Sequence, residues 1–340
     1  MRKSAFIVSA ILLAFGVYTQ AAPSSYTETP SQFTASAAQA DPPVTESPIT
    51  LKTMGSTLSG TLAMPKDANG KVPIVLIIAG AGSVNRDGND ANNDLNANTY
   101  KMLAYALGKA GIASLRYDKR MVGQSTSGDQ EKNLSFEDYV DDATSLLNML
   151  SGDERFSKII IAGHGQGALV GAIATNEEPV KGYISLEGAG DPEAIMLTNA
   201  MKSQPEYKAN NIKRMLDSLR KGKTWDGIDI SLYPIARPSI QPFVMSWCRY
   251  DPLREIRKLK MPVLIIQGTT DLEITEPNGY KLKSAAKSSA QLTIIRGMNF
   301  MLKDAPADRD KNLATYKDPA LPLNQEMVNT VVTFIQGLKD

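Results

Sequence analysis

The sequence contains only one histidine, His164, and one cysteine, Cys248, among its 340 residues. A single cysteine cannot form a disulfide within the chain, so stability has to come from a hydrophobic core, and the chain is long enough to form one. The apolar neighbours of Cys248 indicate a buried packing residue rather than a nucleophile. One histidine and one cysteine are also too few for a usual zinc site, so we expect no metal.

An excess of charge of either sign is also missing. The chain has 37 basic and 36 acidic residues, which gives a formal net charge of +1. This balance gives no indication of a nucleic-acid partner or of an acidic tail. The glycine-rich residues 163–168 do not have the spacing of the dinucleotide-binding Gly-x-Gly-x-x-Gly motif, and no phosphate-binding loop is present. We therefore expect no cofactor.

The N-terminus has the features of a targeting segment. Arg2 and Lys3 precede an apolar stretch over residues 5–18, and small residues follow at 19–22. An apolar stretch of about 14 residues is too short to span a membrane, so residues 1–22 predict a cleaved secretory signal peptide. An uncleaved N-terminal anchor is the alternative. Residues 23–48, rich in Ser, Thr, Ala and Pro, predict a flexible linker, and we expect the mature protein to be secreted or periplasmic.

The rest of the chain alternates between strand and helix patterns. Residues 49–64 predict two antiparallel strands at the edge of a sheet, and the apolar run at 72–78 predicts a strand buried on both faces. Further alternation up to residue 187 predicts an α/β fold with a mostly parallel, doubly wound sheet. Residues 188–260 break this rhythm and predict a helical cap, after which residues 261–340 complete the core.

One stretch, residues 158–174, has the pattern of a strand, a sharp turn and a helix. A β-branched run leads into Gly163-His164-Gly165-Gln166-Gly167, and a good helix-forming segment follows. The stretch resembles the nucleophile elbow of α/β-hydrolases, Gly-x-Ser-x-Gly, in which the central serine occupies a strained turn. In this sequence the central position is a glycine.

Other motifs extend the resemblance over about Ile49 to Leu338. In chain order they are Ala79-Gly80-Ala81-Gly82 with Arg86-Asp87-Gly88-Asn89, Leu115-Arg116-Tyr117-Asp118-Lys119-Arg120, Arg237-Pro238-Ser239-Ile240-Gln241-Pro242, Gln267-Gly268-Thr269-Thr270-Asp271 and Gly297-Met298-Asn299. Together they resemble the α/β-hydrolase superfamily, specifically serine esterases of the serine-aminopeptidase-like or dienelactone-hydrolase-like type. The resemblance implies an α/β-hydrolase fold with a site at the carboxyl ends of the strands.

The resemblance also implies a catalytic triad in the chain order Ser, Asp, His. Asp271 matches the acid position. The nucleophile position holds Gly165, which has no side chain, and the histidine position holds Phe300, which cannot accept a proton. The only histidine, His164, precedes the nucleophile position, so we expect its ring to pack beneath the turn and to point away from the site.

The remaining parts of such a site are expected to persist. The N–H of Gln166 and one N–H from Ala81 or Gly82 would form an oxyanion hole. Asp271 would face the apolar ring of Phe300 instead of an imidazole, and burial without water would raise its pKa.

These features leave three functional hypotheses open. The first is a pseudo-esterase that binds a small ester or acyl ligand without turnover. The second is an active ester hydrolase with an unusual constellation, such as Asp271 with Ser83 or a water molecule. The third is a structural or partner-binding protein whose pocket is unused. The sequence does not identify a protein partner.

Overall fold

The structure is a computed structural model that describes residues 42–175, 180–287 and 289–339. The predicted signal peptide over residues 1–22 and most of the predicted linker over residues 23–48 lie outside the described residues. Within the described ranges, every helix falls short of the length and hydrophobicity that crossing a membrane requires.

A mixed sheet forms the centre of the molecule. Its strands and those of a small separate ribbon are β1 (Val44–Thr53), β2 (Ser56–Pro65), β3 (Val72–Ile78), β4 (Asn89–Asp90), β5 (Leu95–Asn96), β6 (Ala113–Tyr117), β7 (Thr126–Ser127), β8 (Phe156–His164), β9 (Gly182–Leu186), β10 (Val263–Gly268) and β11 (Gln291–Ile295). The order in the main sheet is β1-β2-β6-β3-β8-β9-β10-β11, with β7 beside β2, while β4 and β5 pair separately. Strand β2 is antiparallel to β1 and β6, and the strands from β6 to β11 are parallel.

The two antiparallel edge strands predicted over residues 49–64 are confirmed, but the first begins earlier. Val44 pairs with Pro65, and Val44 is buried against the helix layer. The linker prediction was therefore wrong for residues 44–48, which belong to β1. Most side chains of this edge strand are exposed or half-buried, so its composition is polar and does not distinguish it from a linker.

Helices cover both faces of the sheet. They are α1 (Thr99–Lys109), α2 (Phe136–Ser151), α3 (Gln166–Ala174), α4 (Glu193–Ala200), α5 (Glu206–Leu219), α6 (Tyr233–Ala236), α7 (Gln241–Trp247), α8 (Pro252–Lys258), α9 (Pro277–Ala285), α10 (Arg309–Ala314) and α11 (Gln325–Gln336). Strand β3 alternates between the two layers: Val75 and Ile77 pack with α1 and α11, whereas Ile74 and Leu76 pack with α2 and α3. This alternation explains the continuous apolar run, since both faces of the strand are buried.

The segment between β9 and β10 contains helices α4 to α8. Most of its buried apolar residues from Leu197 to Val244 form a cluster separate from the two layers of the sheet. In the same segment, Phe243 and Ile256 pack with the layer that contains α2 and α3. The segment thus has its own small core and is joined to the sheet layer at its end.

Candidate functional site

The turn between β8 and α3 has a backbone that only glycine adopts easily. Gly165 has φ 52° and ψ −115°, a conformation that costs other residues about 1–3 kcal/mol. The flanking glycines are needed for close packing. A Cβ on Gly163 would lie 2.3 Å from the carbonyl oxygen of Gly167, and a Cβ on Gly167 would lie 2.3 Å from the carbonyl oxygen of Ile78. The sequence therefore forms the sharp strand-to-helix turn predicted for it.

The ring of Phe300 lies directly beside this turn. Phe300 follows β11 in the loop at the carboxyl end of the sheet, and its side chain is buried. A Cβ built on Gly165 would stand 2.9 Å from the Cζ of Phe300 and 3.3 Å from its Cε2. The aromatic ring therefore occupies the space that a side chain at position 165 would need.

His164 lies under the turn, as expected, and both of its ring nitrogens have partners. Its Nε2 is 2.8 Å from the carbonyl oxygen of Phe300, and its Nδ1 is 2.8 Å from the hydroxyl of Tyr100. Because a carbonyl can only accept, Nε2 carries the proton and Nδ1 accepts from Tyr100. Burial lowers the pKa of the imidazole to about 4. His164 is thus a neutral, fully engaged core residue.

The same network reaches the glycine-rich loop after β3. The N–H of Gly80 donates to the hydroxyl oxygen of Tyr100 over 2.8 Å. The ammonium of Lys119 donates to the carbonyl oxygen of Gly80 and lies 5.5 Å from the centre of the Tyr139 ring. Burial lowers the pKa of Lys119 to about 7. Four loops at the carboxyl edge of the sheet are therefore held together through buried polar contacts.

Asp271 is placed after β10, at the acid position, and its carboxylate has polar neighbours that the sequence did not indicate. Its Oδ1 accepts hydrogen bonds from the N–H groups of Glu273 and Ile274, over 2.6 and 3.0 Å. Its Oδ2 lies 3.4 Å from the side-chain nitrogen of Gln267. Burial raises the pKa of Asp271 to about 6. The ring of Phe300 lies against the turn and against His164, 4.2 Å away between ring centres, and the expectation that Asp271 faces this ring stays a prediction.

A second buried carboxyl, Glu187, is part of this group and was missed from the sequence. It follows β9 directly and is fully buried, with an unusual positive φ of 47°. It accepts from the N–H of Gly268 over 2.8 Å and from the side chain of Gln267. Burial, and then the neighbouring Asp271, raise its pKa well above the usual range. The signal was available, since Glu187 ends an apolar strand just as Asp271 follows one.

A cavity of about 530 Å³ opens beside the turn. Its lining combines the turn and the loop after β3 (Ala81, Gly165, Gln166), the loop after β9 and α4 (Ala189, Asp191, Glu193, Met196, Leu197), Trp247, the loop after β10 (Leu272, Glu273, Ile274, Thr275) and Phe300. Apolar side chains form much of the wall. Asp271 stands behind this wall, whereas its neighbour Glu273 forms part of it.

Two of the three predicted oxyanion-hole residues lie at this cavity. Ala81 and Gln166 line it, and Gly82 follows Ala81 with φ 86°. Gln166 is the first residue of α3, so its N–H has no acceptor inside the helix and is available to a ligand oxygen. Among the described residues, no group of three or more His, Cys, Asp or Glu side chains could hold a metal ion.

Comparison with known proteins agrees with this architecture. Residues 95–230, which include the turn, match the family model of the serine aminopeptidases, S33. No curated protein sequence matches the chain.

Several solved structures are similar in fold. Est1E from Butyrivibrio proteoclasticus with bound ferulic acid has a TM-score of 0.58 at 19% identity, over 85% of this chain and 99% of that one. The hypothetical protein PA2218 from Pseudomonas aeruginosa has a TM-score of 0.58 at 14% identity, over 92% and 100%. The esterase Pf2001 from Pyrococcus furiosus has a TM-score of 0.53 at 15% identity, over 92% and 100%. From these matches and the order of its strands, the chain is an α/β-hydrolase-fold protein whose structural neighbours include esterases.

Proposed function

We propose that this protein is a catalytically impaired hydrolase, a pseudo-esterase, that binds a small ester or acyl ligand without turning it over. The observation that carries the proposal is the contact between positions 165 and 300. Gly165 provides no nucleophile, and the ring of Phe300 fills the space where a nucleophile would stand. Loss of any one triad member costs roughly 10⁴- to 10⁶-fold in rate, and the losses are not additive.

Neither His164 nor Asp271 is placed to substitute for the missing groups. His164 has both ring nitrogens engaged and stays neutral because burial lowers its pKa to about 4. Asp271 stands behind the cavity wall, with one carboxylate oxygen accepting two backbone N–H groups. An active hydrolase that uses Asp271 to activate water is therefore less well supported than ligand binding, because the carboxylate would have to leave these partners first.

The cavity supports the binding half of the proposal. A space of about 530 Å³ falls within the range that small-molecule sites occupy, about 300–1,000 Å³. Its apolar wall suits an acyl or aromatic group, and the N–H of Gln166 suits a carbonyl oxygen. We also propose that the protein is exported, on the basis of the N-terminal sequence pattern. No observation specifically favours a purely structural role.

Hydrolysis of p-nitrophenyl acetate and butyrate by three purified mature proteins tests whether the protein lacks catalytic activity. They are the parent, Gly165→Ser with Phe300→His, and the same double variant with Asp271→Asn added. We expect the parent to remain at the buffer rate and the double variant to gain activity that the third substitution removes. Hydrolysis by the parent well above the buffer rate would rule out the pseudo-esterase.

Ligand binding can be measured without any reaction. Trp247 lines the cavity, so a nitroaromatic ligand should quench its fluorescence. We expect saturable quenching by butyl p-nitrophenyl ether, a neutral ligand with no ester bond, and ferulic acid serves as a second probe. Trp247→Phe should remove the signal while Trp225, the other tryptophan, reports that the protein is still folded. Linear, non-saturating quenching would count against a ligand site.

A further inference from the structure

The carboxyl groups behind the cavity wall stand unusually close together. Glu187 and Asp271 come from different strand ends, yet both contact the same nitrogen, the Nε2 of Gln267. That nitrogen also donates to the carbonyl oxygen of Ile274 over 2.5 Å. An amide has only two hydrogens, so it cannot satisfy three acceptors fully. The Oδ2 of Asp271, at 3.4 Å the most distant of the three acceptors, is therefore left without a full donor.

We propose that Glu187 and Asp271 share one proton near neutral pH, and that losing this proton loosens one wall of the cavity and weakens ligand binding. Two ionised carboxylates this close, away from water, repel each other strongly, and a shared proton removes the repulsion and supplies the missing donor. The part about ligand binding rests on the proposed function, whereas the shared proton does not.

Among the described residues, the charged and titratable groups around the pair include Glu273, Tyr316 and Arg309. Glu273, in the same loop, has a raised pKa because of burial and then Asp271. The hydroxyl of Tyr316 is buried beside Glu273, and its pKa is raised by burial and then by Glu273. Arg309 is a cation that lowers the pKa of Glu273, and its effect is smaller than that of burial. The surroundings are therefore mostly acidic and favour keeping the proton.

The pair is connected to the cavity through the backbone. The Oδ1 of Asp271 accepts hydrogen bonds from the N–H groups of Glu273 and Ile274. These two residues form the cavity wall together with Leu272 and Thr275. Movement of the Asp271 carboxylate away from Glu187 would shift this wall directly.

Asp271→Asn is the main test, because its amide can donate permanently to Glu187 in place of the proton while its oxygen still accepts the two N–H groups. We expect the parent to show an infrared carbonyl band of protonated carboxyl at pH 7 that weakens toward pH 9. The parent-minus-variant difference spectrum should contain the part of this band that the pair contributes, apart from any band of Glu273, whose pKa is also raised. Glu187→Gln is the second variant, in case the first fails to fold. Asp191→Asn, which removes a cavity-lining carboxylate paired with Lys281, should keep the parent's band.

The functional consequence is read from the pH dependence of binding. For butyl p-nitrophenyl ether, which does not titrate, we expect affinity in the parent to fall at least about fivefold between pH 6 and 9, the lower end of the range typical of coupled sites. The fall should shrink to less than about twofold in Asp271→Asn. An unchanged fall in that variant would overturn the coupling, and an unchanged infrared band would overturn the shared proton. If the ether binds at no pH, the ligand part fails with the proposed function, while the infrared result still decides the proton pair.

Discussion

The Cζ of Phe300 lies 2.9 Å from the point where a Cβ on Gly165 would stand. The two positions at which the expected triad residues are missing are therefore in contact with each other. Phe300 fits because residue 165 is a glycine, and a serine at 165 would have to displace the ring. Restoring the serine alone should therefore fail for steric as well as chemical reasons.

The first prediction concerns this coupling. Gly165→Ser alone should lower the free energy of unfolding by about 2–5 kcal/mol, from backbone strain and from overpacking against the ring. Combining it with Phe300→Ala should cost less than the sum of the two single changes. Chemical denaturation of the four proteins in this double-mutant cycle measures the coupling.

Gly70→Ser is a control for the backbone contribution alone. Gly70 has φ 82°, and a Cβ there would meet no atom within 4 Å. We expect this variant to lose only about 1 kcal/mol. Strictly additive costs at 165 and 300 would show that the ring yields freely and that the two positions are independent.

The second prediction concerns His164 and pH. Its folded pKa, about 4, lies below the ordinary value of 6.5, so the unfolded chain binds a proton first as the pH falls. His164 should therefore reduce stability between pH 6.5 and 4, by about 3 kcal/mol in total. His164→Gln, which can accept from Tyr100 and donate to Phe300, should remove this contribution.

The effect of His164 is the difference in unfolding free energy between parent and His164→Gln at each pH. The subtraction is needed because buried acids with raised pKa values make the protein more stable as the pH falls through the same range, opposite to His164. His164→Leu provides the contrast. It leaves the hydroxyl of Tyr100 and the carbonyl of Phe300 without this partner, at about 1–3 kcal/mol each. Equal acid sensitivity in the parent and His164→Gln would contradict the neutral, buried assignment.

The third prediction tests where the ligand binds. Ala189 lines the cavity and is half-buried, so Ala189→Phe should fill part of the space. We expect affinity for butyl p-nitrophenyl ether to fall at least about tenfold, because the ligand loses apolar contact. Ala189→Ser changes little volume and should bind within about threefold of the parent. Retained affinity in the phenylalanine variant would place the ligand elsewhere.

The fourth prediction concerns the attachment of the segment between β9 and β10. Glu131, in the turn before α2, accepts from Arg237 over 3.0 Å and from the hydroxyl of Ser239 over 2.5 Å. Because both partners of the ion pair remain partly exposed, we expect Glu131→Gln to cost only about 1 kcal/mol of stability.

The same substitution should have a larger local effect. Limited proteolysis in residues 200–240 should become faster in Glu131→Gln, while cleavage elsewhere stays at the parent's rate. Glu137→Gln serves as the comparison, since its ion pair with Arg249 is long, 3.9 Å, and exposed. Uniformly faster cleavage at all sites would indicate global destabilisation instead of a loosened attachment.

Much of the fold could be predicted because burial leaves clear patterns. The apolar run of β3, for example, is buried on both faces as predicted. The start of β1 was missed, since an exposed edge strand needs no apolar residues. The pairing of Asp271 with Glu187 was also missed, because Glu187 comes from a strand end about 80 positions away.

The sequence by itself determined the order of the elements, the glycine at the centre of the turn and the lack of any spare histidine. These are properties of residue type and local spacing. Only the tertiary structure decided that Phe300 fills the space at Gly165, that His164 is fully engaged, and that Asp271 stands beside Glu187. Such contacts depend on where loops from distant strands converge, and no local pattern encodes that convergence.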